Sequence, residues 1–412
     1  MPMTGPESTF PVVRVTVMLS LSYAVLAMAY GPIVTPDAVE YSGMARALAA
    51  LDYNPVAYLR HGEEVAELNH PVAAPFYLAF VFVIGLAQEL FVTNWPYAVV
   101  AFNVVMQTIA AFVILLTVVA VSGPAAAWIA AALLAVLFDF NQWVAMTQSD
   151  PMFVAISAVA VSAGLRAADS ERPDRIWPVV TAVGACLLIV FVRPSWPPVI
   201  ATMLVVALLA VVGRREPFSR AAVLLGFGIA GLAAVLGLWA AAQLYFDPTA
   251  LPGGIGARFV AMFRPYLVGG VVVIARPETY IAPVETAAGF LNVMGHRLVY
   301  FFWFEADGFS TQHRLLNILG HVPLYAFAVI GIVVTLLRIP NRRMQHAGIV
   351  AIVWIATTDL YHAVTVLDFD WRYRAPTYFP LVLLASAGAA AVLTGLGSRW
   401  SGHLWRGTRD IR

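Results

Sequence analysis

Long apolar runs set the first limit on how this chain can fold. A helix that crosses a bilayer needs about 20 mostly apolar residues, and the 412-residue chain contains eleven runs near that length. It is 61% hydrophobic and 11% charged, whereas soluble domains average about 25% charged residues. The sequence therefore predicts an all-α polytopic membrane protein. The runs cover residues 12–33, 71–92, 96–121, 124–143, 151–168, 176–192, 195–212, 221–246, 315–337, 347–366 and 373–396.

Charge and cysteine content narrow the class further. The net charge is +1, so nothing indicates a nucleic-acid partner. Cys186 is the single cysteine, which excludes an intrachain disulfide and a cysteine-based metal site. All 24 basic residues are arginine, which suggests a GC-rich bacterial genome. The first run lacks a small-residue cleavage site, so we expect a retained anchor in a bacterial plasma membrane.

The arginine-rich loops predict the orientation. Segments 166–175, 213–220 and 338–346 and the tail 398–412 are basic, and basic loops favour the cytoplasmic side. Counting back from the tail places loop 247–314 outside. We expect both termini to be cytoplasmic and any functional site in the long loops to face outward.

Segment 71–92 decides where the first loop lies. If it spans the membrane, residues 35–41 become cytoplasmic; if it is re-entrant or interfacial, loop 34–95 is external. Pro71, Pro75 and a polar end favour the second interpretation. The architecture is then about ten spanning helices with two large external loops. We divide it into a membrane module at 1–212, which includes the external loop 34–95, and C-terminal helices at 213–412 with the loop 247–314.

The stretch TPDAVEY at 35–41 follows the first run and contains Asp37. Thr35 predicts a helix cap and Pro36 a first helical position. A carboxylate near membrane depth is a functional candidate, while a helix-start carboxylate that complements the dipole is the alternative. The spacing predicts an amphipathic helix on the outer surface, with one face formed by Asp37, Tyr41, Met44 and Leu48.

Three further places join Asp37 on the predicted external side. Asp150 precedes Pro151 at the start of a run and is either a helix cap or a partner of Asp37, as base, orienting group or ligand of a divalent cation. Arg193 lies in a Pro-rich turn, where it either snorkels to the headgroups or binds a phosphate. Arg372 and Arg374 lie at the start of the last run, where they are predicted either to bind a phosphate or to pair with Asp368 and Asp370.

The late part of the chain adds weaker candidates. Residues 288–304 predict an interfacial helix within a loop that could cover a lipid-linked substrate. The weaker candidates are Glu305, Asp307, Asp359 and His362.

The sequence contains no Walker A loop, HExxH, GxSxG or Rossmann fingerprint.

Together these residues resemble the GT-C superfamily of membrane glycosyltransferases, in segments PDAVEYSGMARALAAL, NHPVAAPFYLAF, TQSDPMFVAISAVAVSAGL and WRYRAPTYFPLVLLA. The resemblance covers residues 12–200 well and the remainder loosely. Two departures, a single Asp150 in place of an acidic pair and no large C-terminal soluble domain, favour a compact transferase.

The resemblance implies an inverting sugar transfer from a polyprenyl-phosphate donor to a glycan, lipid or protein acceptor on the outer face. Asp37 would be the base, with Asp150 beside it. Arg193, Arg372 and Arg374 would bind the phosphate, and Tyr41 and His70 complete the candidate substrate-binding residues. Any metal would be held by Asp37 and Asp150.

Other functions fit parts of the same pattern. A transporter or flippase for a lipid-linked sugar predicts inverted repeats and midplane charges, and we find no convincing repeat. A polymerase or ligase of surface polysaccharide would share the external arginines. A non-catalytic membrane scaffold is the third alternative.

Overall fold

The computed structural model describes residues 10–58, 76–168, 176–212, 287–304, 310–337, 342–365 and 371–406. These residues are almost entirely helical, and within them the only β-type contact is an isolated bridge between Ile33 and Met146. The all-α class is therefore confirmed for this part of the chain. The helices are α1 (Val12–Tyr30), α2 (Pro36–Ala50), α3 (Leu78–Phe91), α4 (Trp95–Val136), α5 (Phe138–Asn141), α6 (Asp150–Ala168), α7 (Ile176–Ile189), α8 (Pro197–Val212), α9 (Ala287–Phe301), α10 (Thr311–Leu337), α11 (Arg342–Thr365) and α12 (Tyr378–Arg406).

Five helical stretches in these ranges are long and apolar enough to cross a membrane. Two shorter apolar helices, Ile176–Ile189 and Pro197–Ala210, match two more predicted runs. The predicted run 221–246 lies outside the described residues. Membrane-embedded helical character is thus supported, while the count of about ten spans stays a prediction. The five stretches are Val12–Tyr30, Leu78–Val136, Asp150–Ala168, Thr311–Leu336 and Tyr373–Thr394.

Helix α4 is two helices joined at a sharp kink. Gly123 has φ 87° and ψ 177°, a left-handed backbone that glycine adopts without penalty, and Pro124 follows it. Pro124 cannot donate to the preceding turn but suits the start of a new helix. The break matches the boundary predicted between runs 96–121 and 124–143. The second arm ends at Val136, seven residues before the predicted end of its run.

Helix α3 is short for a membrane span. Its 14 residues measure about 21 Å at the usual rise, less than the ~30 Å hydrocarbon core. Its beginning is tied to the turn after α7, because Ala79 N donates to Phe191 O at 2.9 Å. This length supports a re-entrant or interfacial segment. Whether residues 71–92 span stays a prediction, since 71–75 lie outside the described residues.

The link between α1 and α2 is paired with the connection that precedes α6. Ile33 N donates to Ala145 O at 2.8 Å, and Thr147 N donates to Ile33 O at 3.1 Å. The two segments run parallel at this bridge. Two buried α4 side chains fix the same connection: Asn103 donates to Met146 O and Gln107 to Phe140 O, each at 2.7 Å. The beginnings of α2 and α6 therefore lie side by side.

Helices α10 and α12 approach closely through glycine. A Cβ atom on Gly331 would collide with the Leu384 carbonyl oxygen, and one on Gly388 with the Phe327 carbonyl oxygen. Small residues let helix backbones meet at van der Waals distance in membranes. This contact holds α12 in the register that places residues 371–378 at the candidate site.

We expect Gly331→Ala to destabilise the bundle. The added methyl must displace backbone, and overpacking of this kind costs typically about 1–3 kcal/mol. Thermal unfolding of the detergent-purified protein measures the effect. Gly184→Ala in α7 is the matched control, because among the described residues nothing outside the backbone of its own helix lies within 4 Å of the added methyl. Equal unfolding temperatures for the two variants would contradict the close contact.

Candidate functional site

Asp37 lies in the first turn of α2 and is half-buried. Thr35 Oγ1 accepts a hydrogen bond from Ala38 N at 3.2 Å, and Pro36 is the first helical residue. The helix start predicted from TPDAVEY is therefore confirmed.

The apolar face predicted for α2 is confirmed, and helix α3 covers it. Tyr41, Met44 and Leu48 are buried. The Tyr41 ring lies 4.9 Å from the Tyr77 ring and 5.4 Å from the Phe80 ring. Tyr41, one turn after Asp37, thus packs against the beginning of α3. Its role in substrate binding stays a prediction.

The parallel bridge brings Asp37 and Asp150 to the same end of the bundle. Each carboxylate follows its bridged residue, Ile33 or Met146, by four positions. The two segments run in the same direction from the bridge. Asp37 and Asp150 each lie in the first turn of the helix that follows, α2 and α6. The sequence predicts that both carboxylates face the external side, from the arginine-rich loops and a non-spanning segment 71–92, and that placement stays a prediction.

Asp150 and Arg193 form a buried ion pair. The Arg193 guanidinium donates to Asp150 Oδ1. Asp150 is 3% exposed and Arg193 5% exposed, so Arg193 does not extend to the headgroups, as the snorkelling alternative requires. The guanidinium carbon also lies 5.0 Å from the centroid of the Tyr373 ring, within the range of a cation–π contact. Arg193 is thereby held on two sides.

A row of rings continues from Tyr373 into the bundle. The His362 ring lies 5.0 Å from that of Tyr373 and stacks on Phe301 at 5.9 Å. His362 is 4% exposed, and neither ring nitrogen has a hydrogen-bond partner. Close by, Arg297 of α9 donates to Ala363 O at 2.9 Å. Burial lowers the pKa of Arg297 to about 10, so it stays charged at neutral pH.

A second buried carboxylate, Asp139, was missed by the sequence analysis. It is 2% exposed and lies in α5, in the connection between the spanning helices α4 and α6. Its Oδ2 accepts from Arg374, and its Oδ1 accepts from Gln142 at 3.0 Å. Burial alone would raise the pKa of Asp139, but the Arg374 charge, aided by His313 and His321, holds it well below its usual value.

One signal could have identified Asp139. It interrupts the apolar run 124–143, and a carboxylate within such a run is a functional candidate by default. The partner of Asp139 could not be predicted from the sequence, because Arg374 lies 235 positions away.

Histidine and tyrosine side chains complete the surroundings of Asp139. His321 Nδ1 lies 3.0 Å from Asn317 O, and His321 Nε2 lies 3.0 Å from Tyr378 Oη. A carbonyl oxygen only accepts, so Nδ1 carries a proton. In the neutral ring Nε2 then accepts from Tyr378, whose oxygen in turn accepts from Arg374 Nε at 3.0 Å. His313, whose side chain is 23% exposed, is 3.8 Å from Asp139 Oδ1.

Arg374 is fully buried and its donors meet protein acceptors. Besides Asp139 and Tyr378, it donates through Nη1 to Trp303 O and, at 3.4 Å, to Phe301 O. The guanidinium has five N–H donors, so most of them are engaged. Phosphate binding by Arg374 stays a prediction, and it requires some of these bonds to exchange.

Several predicted residues lie outside the described part of the chain. Arg372 belongs to the 3₁₀ helix Trp371–Thr377, but its side chain is among those not described. The roles assigned to these residues, including pairing of the arginines with nearby aspartates, stay predictions. Outside the described residues are His70, Glu305, Asp307, Asp368 and Asp370.

A metal site was predicted conditionally at Asp37 and Asp150. Within the described ranges, no group of three or more His, Cys, Asp or Glu side chains is arranged to hold a metal ion. Asp150 is also committed to Arg193. The divalent cation therefore stays a prediction that the described side chains do not support by themselves.

We expect Asp150→Asn to destabilise the protein far more than Asp37→Asn. Breaking a buried ion pair leaves Arg193 uncompensated and costs about 3–5 kcal/mol, whereas losing a helix-start charge costs about 0.3–1 kcal/mol. Thermal unfolding in detergent measures both. Replacing the pair together, Asp150→Leu with Arg193→Met, should recover most of the loss. Similar unfolding temperatures for the two Asn variants would contradict the buried pair.

Comparisons of the chain with protein-family models, with curated proteins and with solved structures gave no match. The chemistry of the site is therefore inferred from its own residues: one half-buried carboxylate, two buried carboxylate–arginine pairs and a row of aromatic rings, at one end of a helical bundle.

Proposed function

We propose that this protein is a membrane glycosyltransferase that uses a polyprenyl-phosphate sugar as donor. The observation that carries the proposal is the parallel bridge, which joins the segment that leads to Asp37 and the segment that leads to Asp150, the carboxylate paired with Arg193. A transferase of this kind needs a base for the acceptor and a cation for the leaving phosphate. Both types of group meet at this end of the bundle.

Asp37 is the proposed base. It accepts the proton of the acceptor hydroxyl while the oxygen attacks the anomeric carbon from the face opposite the phosphate. The bond between the anomeric carbon and the phosphate oxygen breaks, its electron pair stays on the polyprenyl phosphate, and the sugar leaves with inverted configuration. Asp37 is half-buried at the start of α2, so part of its side chain is open to a substrate.

Arg193 is the proposed phosphate-binding residue. A preorganised cation stabilises negative charge that grows on a leaving group, and it does so without reorganisation during the reaction. Asp150 and the Tyr373 ring fix the guanidinium in advance. Asp150 therefore orients Arg193 rather than taking a proton itself.

The apolar bundle suits a lipid-linked donor. Helices in contact with the bilayer let a polyprenyl chain approach sideways, and no nucleotide site is required. By the arginine pattern, the protein lies in a bacterial plasma membrane with cytoplasmic termini and an outward site. The acceptor is a glycan, a lipid or a protein.

A transporter or flippase of a lipid-linked sugar is the second candidate. The buried pairs Asp150–Arg193 and Asp139–Arg374 favour it, because charges inside membrane bundles often mark a transport pathway. A polysaccharide polymerase or ligase would use the same arginines on a larger donor. Sugar transfer by the purified protein separates the enzymes from the transporter.

We expect Asp37→Asn to lower the rate of sugar transfer by about 10²–10⁴-fold, the usual contribution of a positioned base. The amide keeps the shape of the side chain but accepts no proton. The assay follows transfer from a synthetic short-chain polyprenyl-phosphate sugar in detergent, with native mass spectrometry for bound lipid.

Asp52→Asn is the matched control. Asp52 is exposed just after α2 and has φ 53°, a conformation that asparagine also tolerates. Its substitution should leave the rate unchanged. Normal transfer by Asp37→Asn would show that Asp37 is not the base. Absence of transfer by the wild-type protein, together with movement of the lipid-linked sugar across liposomes, would favour the transporter.

A further inference from the structure

An aromatic segment after α9 is bound to the bundle by two buried donors. This segment, Phe301–Phe302–Trp303–Phe304, is here called the aromatic strap. Arg374 donates to the carbonyl oxygens of Phe301 and Trp303. Asn317 of α10 donates to Phe304 O at 3.2 Å. Backbone that leaves a helix in an apolar setting requires such partners, because unpaired carbonyl groups are costly there.

Ring contacts add to these hydrogen bonds. Phe301 stacks on His362 at 5.9 Å, and Phe304 lies parallel to His321 at 6.2 Å with 8° between the planes. The strap thus bridges α11 and α10. Both of its ends rest on buried histidine rings.

Arg374 can hold the strap only while its own charge is compensated. Asp139 supplies that compensation through a buried salt bridge with Arg374. Gln142 holds Asp139 through the other carboxylate oxygen, at 3.0 Å. The chain of contacts therefore runs from α5 through Arg374 to the strap.

The strap also reaches the proposed phosphate-binding side chain. Phe301 packs on His362, His362 contacts Tyr373, and the Tyr373 ring lies 5.0 Å from the Arg193 guanidinium carbon. Release of the strap would remove the Phe301 ring, which stacks on His362 at one end of this row. The bridge that places Asp37 lies on another part of the site and does not involve these rings.

We propose that Asp139 is a positioning residue: through Arg374 it holds the aromatic strap against the bundle, and the strap sets the binding of the lipid-linked donor. The second half of this statement rests on the proposed glycosyltransferase function; the first half does not. Loss of Asp139 should therefore raise KM for the donor more than it lowers kcat.

Hydrogen–deuterium exchange on the full-length protein tests the strap directly. The amides of Phe302 and Trp303 donate to Val299 O and Tyr300 O at 3.3 and 2.9 Å. In Asp139→Asn we expect exchange in peptides covering 300–304 to accelerate at least about tenfold, the equivalent of one charged hydrogen bond lost. Asp139→Glu keeps the charge and should restore much of the protection.

A second variant covers the case in which Asp139→Asn fails to fold. Asp139→Leu combined with Arg374→Met removes both charges and keeps the volume, a replacement that buried pairs tolerate. The strap carbonyl groups still lose their donor, so fast exchange should persist. Thr117→Val is the matched control, since it removes a buried hydroxyl pair with Ser162 in α4 and α6 without touching the strap.

Kinetics decide the second half of the proposal. We expect KM for the polyprenyl-phosphate donor to rise about tenfold in Asp139→Asn, which keeps Arg374, with kcat within about threefold of wild type, as removal of ground-state binding predicts. Unchanged strap exchange, or equal acceleration by Thr117→Val, would overturn the holding role. A fall in kcat at constant KM would overturn the link to donor binding. If the wild-type protein transfers no sugar, the proposed function fails, and the exchange data alone decide the role of Asp139.

Discussion

Burial of charge inside an apolar bundle is the constraint on which the site depends. Asp139, Asp150, Arg193 and Arg374 are each at most 5% exposed. An unpaired charge in such surroundings costs several kcal/mol even after relaxation, on the order of the whole stability of a domain. Each of the four therefore has a partner of opposite sign. Because the two carboxylates lie in and directly after one short connection, the pairs attach it both to the turn after α7 and to the start of α12.

The same connection carries backbone that is not a regular helix. Residues 138–149 pass through one helical turn, a 3₁₀ turn and a bridge. Irregular backbone buried in an apolar bundle is tolerated only where protein groups satisfy its hydrogen bonds. Asn103 and Gln107 do so from within α4, at positions where an apolar side chain would leave carbonyl groups unpaired. The polar residues of this long helix thus explain why its second arm can stop at Val136 and still be followed by a buried segment.

Much of the local structure was predictable, because helix caps and apolar runs depend on neighbours in sequence. Thr35 and Pro36 predicted the start of α2. The apolar runs at 12–33, 151–168 and 315–337 match α1, α6 and α10. Partners across the bundle were not predictable. Periodicity showed that Tyr41 faces an apolar surface, but not that α3 provides it. Phosphate or the nearby Asp368 and Asp370 were the alternative partners predicted for Arg374, and both aspartates lie outside the described residues. Asp139, with which the described structure pairs Arg374, was not among the candidates.

Burial also separates the roles of the three carboxylates within the proposed reaction. A base must take up a proton and lose its charge during turnover. If Asp139 or Asp150 did so, a buried arginine would be left uncompensated, and the cost would add to the barrier. Asp37 is half-buried at a helix start, whereas Asp139 and Asp150 each compensate a buried arginine. Within the proposed reaction, the two carboxylates in buried pairs are therefore poorly suited to proton transfer, which leaves Asp37 as the candidate base. The two buried pairs instead preorganise the arginines and aromatic rings around the place where a phosphate would leave.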